Sequence, residues 1–370
     1  MELRAERTEF TDAIAWATRT VAARATLPAL AGVLLDARDG RLTCRATDLE
    51  LAAEVSVPVR IDEPGMALLP GRLLGQLVNR LPDAPVDISG GGDRVTLRCG
   101  RATFGVRGMP TDDFPQLPEP AEDAPRGIVK AEPFVRMVGQ VARAASPDEA
   151  RPVLTGVKLE GSDDRLTAAA TDSYRLAVRE VAWDRGVAAE ALVPARALSE
   201  SSRAASERGA EVTIVFEEGQ ASFLFGDRRL TTRLIEGNFP EYRQLLPTGY
   251  ETRVTVDRAL LHDALQRVAV VALGQTNTPV MMRFEDGTVE LSAGAQEVGD
   301  ASESLPAEVD GQGLSIAFNP MFLVAGIEAA GTEQVVIELR DGLKPAVVKP
   351  HSQDGGEEFT YLLMPVRTNN

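Results

Sequence analysis

The stretch RLTAAATDSYRLAVRE, residues 165–180, sets Asp172, Ser173, Tyr174 and Arg175 side by side. A serine next to a carboxylate, a phenol and a guanidinium could serve nucleophilic chemistry, or it could shape a docking surface. Nucleophilic use of Ser173 requires a general base within hydrogen-bond reach. The chain holds two histidines, His262 and His351, both far from Ser173 in sequence. With only two cysteines besides, Cys44 and Cys99, neither a Cys/His metal cluster nor a disulfide framework can form. Two buried reduced thiols are expected instead. No D-x-D-x-D-G loop offers a carboxylate cation site. Without an acid/base or metal constellation, the expectation is a non-catalytic protein with no metal and no cofactor.

The elements around this stretch recur at a period near 125 residues, which marks an internal repeat. LPALAGVLLDARDGRLTCRATDLELAAEV begins at Leu27 and RPVLTGVKLEGSDDRLTAAATDSYRLAVREV at Arg151; a weaker copy, NTPVMMRFEDGTVELSAGAQEVGDA, begins at Asn277. Thr47-Asp48 returns as Thr171-Asp172, and Leu42, Leu166 and Leu291 hold equivalent places. Pro70, Pro194 and Pro320 align, as do Phe114 and Phe239. Unit one reads TDLELA, with neither Ser nor Tyr after the Thr-Asp pair, so that pair reads as a structural frame and Asp172 as a turn or cap residue. Each unit predicts an amphipathic helix, alternating strands joined by Asp/Gly turns, a second helix with Pro in its first turn, and a closing hairpin. In the second unit Phe134, Met137, Val138, Val141 and Ala145 form the apolar helix face. The fold class is therefore α+β with antiparallel sheets, in three domains at 1–120, 127–247 and 252–370, separated by LPEPAEDAPRG and LLPTGYETR.

The 370 residues carry a net charge of −16, which argues against a simple nucleic-acid binder unless positive charge is segregated. The helices suggest that it is. Arg136, Gln140 and Arg143 recur at helical spacing opposite the apolar face, as do Arg72, Gln76 and Arg80, and Arg196 and Arg203. Carboxylates are rare on these stripes. The third unit departs: Phe322 stands where Arg72 and Arg196 stand, and its cations are Arg258, His262 and Arg267 on the first helix. No window approaches a membrane span, and the charged MELRAERTEFTD start lacks a signal peptide's apolar core; the expected place is the cytoplasm, with no membrane partner.

RATLPALAGVLL with RLTCRATDLELA, RPVLTGVKLE with TDSYRLAVRE, NFPEYRQLLP and the C-terminal YLLMPVR together resemble the bacterial DNA sliding clamp, the beta subunit of DNA polymerase III, in its actinobacterial form. The resemblance spans the whole chain. It implies three clamp-fold domains per subunit, each with two helices on antiparallel sheets, closing head to tail as a ring-shaped homodimer around duplex DNA. It implies a processivity factor that binds the polymerase alpha subunit, the clamp loader and other proteins bearing clamp-binding motifs, with cyclic peptide antibiotics as further ligands of the same pocket. By residue-by-residue match that pocket comprises Leu154, Thr171, Ser173, Tyr174, Arg175, Leu176, Pro240, Gln244, Leu245, Leu362, Met364, Pro365, Val366 and Arg367. The DNA-facing residues by match are Arg24, Arg72 and Arg196, joined through helical spacing by Arg136, Arg143 and Arg203. Ring closure is implied for Phe104 and Val106 against Val270, Val271 and Leu273; the alternative for each of these is a place in its own domain's core.

Three departures from the family pattern stand out: the cation-poor second helix of the third unit, the segment LGQTNTPVMMRF, and a tail ending in Thr-Asn-Asn after HSQDGGEEFT. They suggest an alternative, a specialised clamp paralogue that confers resistance to a clamp-binding antibiotic in a producer strain.

Overall fold

Leu42, Leu166 and Leu291 are fully buried, each on the second strand of an antiparallel hairpin: Gly32–Arg38 with Arg41–Thr47, Gly156–Gly161 with Arg165–Thr171, and Val280–Glu285 with Thr288–Ala295. Burial alternates along Arg41–Thr47 and Val280–Glu285, where a one-residue slip would turn the apolar face outward, whereas Gly32–Arg38 and Arg165–Thr171 are buried along nearly their whole length. The computed structural model describes residues 1–22, 27–208, 210–273, 278–285, 287–295, 299–351 and 358–367. Among these are six α-helices: α1 (Arg7–Ala17), α2 (Gly71–Val78), α3 (Ala131–Val141), α4 (Ala195–Arg208), α5 (Arg258–Leu273) and α6 (Pro320–Ala330).

Local chemistry sets the helix ends. Pro320 opens α6, and Asn319 caps it, its Oδ1 accepting from Met321 N at 2.9 Å and Phe322 N at 3.4 Å. Pro70 and Pro194 instead stand one residue before α2 and α4, where a fixed φ also suits the entry. On α3, Phe134, Met137, Val138 and Val141 are buried as the spacing predicts. The α-helix stops at Val141, and Ala144 in the following 3-10 turn fills the core in place of Ala145.

The chain divides into two units, 1–132 with 184–234, and 133–183 with 235–370. They do not coincide with the repeats, because hydrogen-bonded sheets cross the repeat borders. In the first unit Arg228–Arg233 pairs with Leu51–Pro58. In the second, Phe359–Leu363 pairs with Arg175–Ala182, with Arg175 opposite Leu363. Each unit also holds a smaller sheet. The five-stranded one ends on Ala102–Arg107 and the four-stranded one on Gly299–Pro306. Cys44 and Cys99 are free and buried. No helix of the described residues is long and apolar enough to cross a membrane.

Candidate functional site

The stretch from Thr171 to Arg175 is a hydrogen-bonded turn that ends one strand and starts the next. Ser173 takes φ 81°, a left-handed conformation uncommon for a non-glycine residue. Side chains fix it: Thr171 Oγ1 donates to Arg175 O at 2.6 Å and accepts from Ser173 N at 3.2 Å. Asp172 Oδ1 accepts from Tyr174 N at 2.9 Å and Arg175 N at 3.0 Å, while Oδ2 takes Arg175 Nε at 3.0 Å. The buried Asp172 carboxylate is thus used up holding the turn. His262 bonds Asp263, Gln266 and Glu328 on α5 and α6. No group of metal-ligating side chains occurs among the described residues.

The turn lifts Tyr174 into solvent at 60% exposure. Beyond the strand Phe359–Leu363 the chain crosses it: Met364 N donates to Tyr174 O at 2.9 Å, and Val366 N to Ala317 O at 2.8 Å. Leu154, Leu176 and Leu362 are buried, while Met364 stays 42% exposed. Arg367 is exposed, and Pro365 and Val366 are half-buried. Phe322, on α6, completes the group. Its ring stacks on Tyr174 with centroids 6.4 Å apart and planes at 26°, and the Arg175 guanidinium lies 4.4 Å from its centroid. Tyr361 Oη donates to Phe322 O at 2.8 Å, and burial pushes the Tyr361 phenol up to about 12, so it remains a neutral donor. Buried leucines, an aromatic pair, a guanidinium and an exposed thioether make a composition that suits a short apolar peptide. Sequence reading left out Phe322, counting it as a lost cation. The signal was its place two residues after Pro320, where the other units carry arginine.

Pro240, Gln244 and Leu245 belong to a second group, held by the strand Gly156–Gly161. Tyr242, buried at the head of the 3-10 turn Tyr242–Leu245, donates its Oη to Glu160 at 2.5 Å. Arg243 reaches both Glu160 oxygens, at 3.1 and 2.6 Å, and Lys158 Nζ lies 2.8 Å away. Burial raises the Glu160 pKa, but the bonds from Arg243, Lys158 and Tyr242 outweigh it and hold the carboxyl at about 2. This carboxylate fixes the turn that presents exposed Leu245.

The remaining expected residues separate into distinct places. Arg24 lies outside the described residues. Arg72 on α2 and Arg136 on α3 are exposed. Gln140, read from the sequence as part of a solvent-facing stripe, is instead buried, donating Nε2 to Ala329 O at 2.5 Å. Its neighbour Arg143 donates to Ala325 O and pairs with Glu328, both at 3.2 Å. Ala329 O is among the last four carbonyls of α6 and short of an intrahelical partner, and it draws the Gln140 amide in. Phe104 is half-buried on the edge strand Ala102–Arg107, whereas Val106 is 2% exposed in its own domain's core. Val270 is 71% exposed on α5, Val271 is half-buried, and the Leu273 side chain lies outside the described part.

Family models of the DNA polymerase III beta subunit match along the chain: the N-terminal domain at residues 1–118, the central domain at 128–241 and the C-terminal domain at 243–367. The beta sliding clamp of Streptomyces coelicolor is 39% identical over 378 residues, covering 99% of each chain. The beta sliding clamp homolog GriR of Streptomyces muensis is 33% identical, again over 99% of each. Among solved structures, the beta subunit of Streptococcus pyogenes DNA polymerase superposes with a TM-score of 0.94 at 27% identity, covering 100% of both chains. A Bartonella birtlesii sliding clamp bound to griselimycin gives 0.92 at 27%, also over 100% of both. A three-fold internal repeat, sheets that run across its borders and end-to-end similarity converge: this chain belongs to the DNA polymerase III beta subunit family, the beta sliding clamps.

Proposed function

We propose that the chain works as the processivity clamp of a replicative polymerase: two copies close head to tail around duplex DNA, and client proteins dock by short apolar motifs in the pocket of Tyr174, Phe322 and Met364. The observation that carries this reading is the convergence of the C-terminal strand and tail on the Thr171–Arg175 turn. There Met364 N and Val366 N donate to Tyr174 O and Ala317 O, while the Tyr174 ring and the Met364 thioether stay exposed. Tyr174 is exposed and Phe322 half-buried, so both offer ring surface to a partner, and aromatic side chains are enriched among those that carry binding energy. Leu154, Leu176 and Leu362 form the floor; Ser173, Arg175, Gln244, Leu245, Pro365 and Arg367 border it. The clients are the polymerase alpha subunit, the clamp loader and other proteins with the same motif.

Ring closure uses the open edges Ala102–Arg107 and Gly299–Pro306, whose unpaired backbone groups invite a partner strand, flanked by Phe104 and Val270. DNA contact falls to Arg72, Arg136, Arg143, Arg196 and Arg203, and needs no base readout. A weak phosphate contact reconciles a net charge of −16 with a DNA partner, because topology, not affinity, keeps the ring on. A second reading, a resistance paralogue with an altered pocket, draws on the similarity to the clamp homolog GriR and on the griselimycin-bound clamp.

Sedimentation of the purified chain, alone and with a QLxLF-type peptide, tests both. A dimer near twice 39.6 kDa that binds the peptide, and loses it on Met364→Ala, supports the clamp. A dimer that ignores the peptide supports the paralogue. A monomer that ignores it defeats both.

A further inference from the structure

The helix arginines that would meet phosphate are mostly engaged by the chain's own carboxylates. On α4, Arg196 lies 2.9 Å from Asp48 and Arg203 3.7 Å from Glu200. Arg19, just past α1, reaches Glu207 and, at 3.9 Å, Glu200. Arg143 meets Glu328 at 3.2 Å, and Arg267 is held by both oxygens of Glu303 at 2.9 and 2.5 Å. The stripes on which carboxylates read as rare in sequence find them on α4 itself, in the turn of Asp48 and on α6. On α2 and in the turn after it the pattern breaks: Arg72 and Arg80 are exposed, and no ion pair engages them among the described residues.

We infer that Asp48, Glu200 and Glu328 set the strength of the DNA grip: each occupies an arginine that a passing phosphate must first take from it. The inference rests on the reading of the chain as a DNA-encircling ring. A guanidinium binds carboxylate and phosphate through the same planar fork, so the two compete for one site. The pairs are partly exposed, with side-chain exposures of 63% and 11% for Arg196–Asp48 and 35% and 44% for Arg143–Glu328. Such pairs bias an equilibrium only about 1.4- to 5-fold each. Phosphate can therefore win, but it gains little, and when it moves on the carboxylate returns. Among the arginines assigned to DNA, Arg72 acts uncontested and carries most of the standing contact.

The test uses the full chain and a fluorescent 30-base-pair duplex, read by anisotropy across a salt series. The variant Asp48→Asn/Glu200→Gln/Glu328→Gln is compared with Asp39→Asn/Asp163→Asn/Glu218→Gln, which removes the same charge from exposed turns. Asn at position 48 can still accept from Glu50 N and Leu51 N, as Asp48 Oδ1 does at 3.1 and 2.8 Å; Glu328→Gln alone serves as a milder variant should the triple misfold. Duplex affinity is expected to rise about 3- to 100-fold in the helix-side variant, the product of three such biases. The salt slope should steepen toward about 0.9 per freed arginine, and the turn variant should change much less. An equal rise in both variants overturns the inference, since net charge alone would then explain it. Measurable wild-type binding that the helix-side variant leaves unchanged also overturns it. Absence of binding in every protein at every salt overturns the DNA-encircling reading itself.

Discussion

The turns Thr47–Leu51 and Thr171–Arg175 have the same backbone built the same way. Leu49 and Ser173 sit at φ 78° and 81°. Thr47 Oγ1 donates to Leu51 O as Thr171 Oγ1 does to Arg175 O, and Asp48 and Asp172 each accept from the backbone N–H groups two and three residues on. What surrounds them differs. Asp48 sends its second oxygen to Arg196. At the place of Arg196 the other turn has Phe322, and Asp172 turns to Arg175, which covers that ring. Glu50 becomes Tyr174, and Arg233, whose N donates to Glu50 O, becomes Met364. Asp36 binds Arg38 and Arg45 within its own sheet, whereas its counterpart Glu160 reaches out to Tyr242 and Arg243. One frame thus carries an ion pair in one turn and an aromatic group with a stacked guanidinium in the other; a handful of side chains makes the difference.

The largest expected effect comes from erasing that difference. Phe322→Arg should let the new guanidinium compete for Asp172 as Arg196 does for Asp48, and weaken peptide binding about 30-fold or more, the loss of a hot-spot residue; anisotropy with a labelled QLxLF-type peptide reads it. Next, Glu160→Ala should destabilise the chain by about 2 kcal/mol, since a buried phenol and a guanidinium lose their acceptor, and should weaken the peptide several-fold. Asp36→Asn should leave peptide binding unchanged. Because the Glu160 carboxyl is held at about 2, below its ordinary 4.5, its contribution is complete above pH 4.5 and disappears as the pH falls from there to about 2. Melting curves of wild type and Glu160→Gln should accordingly converge over that range. The smallest effect tests the shared frame. Leu49→Gly should raise stability by about 1 kcal/mol or less by relieving the left-handed leucine, and Ser173→Gly by less still.

Much of the fold could be read from sequence because its signals are local or periodic. Leu42, Leu166 and Leu291 mark the core in phase, and the Thr-Asp frame is made of bonds spanning at most four residues. The failures share a physical cause. A helical wheel shows that Gln140 and Arg143 lie on a polar face, but not that the end of α6, some 185 residues away, covers it. Phase within the repeat placed Phe322 among the cations, and only its stacking on Tyr174 puts it in the pocket. The pairings of Arg196 and Arg143 with carboxylates likewise depend on contacts that no spacing along the chain encodes.

Cys44 and Cys99 have a practical consequence. Both are buried, and burial pushes the Cys44 thiol up to about 12, so a native Cys44 presents almost no thiolate to a reagent at neutral pH. The natural chain is therefore a ready background for site-directed labelling: a cysteine placed at Phe104 or Val270 would be the first thiol to react, and dyes or cross-linkers there would test the ring closure proposed above without removing either native sulfur.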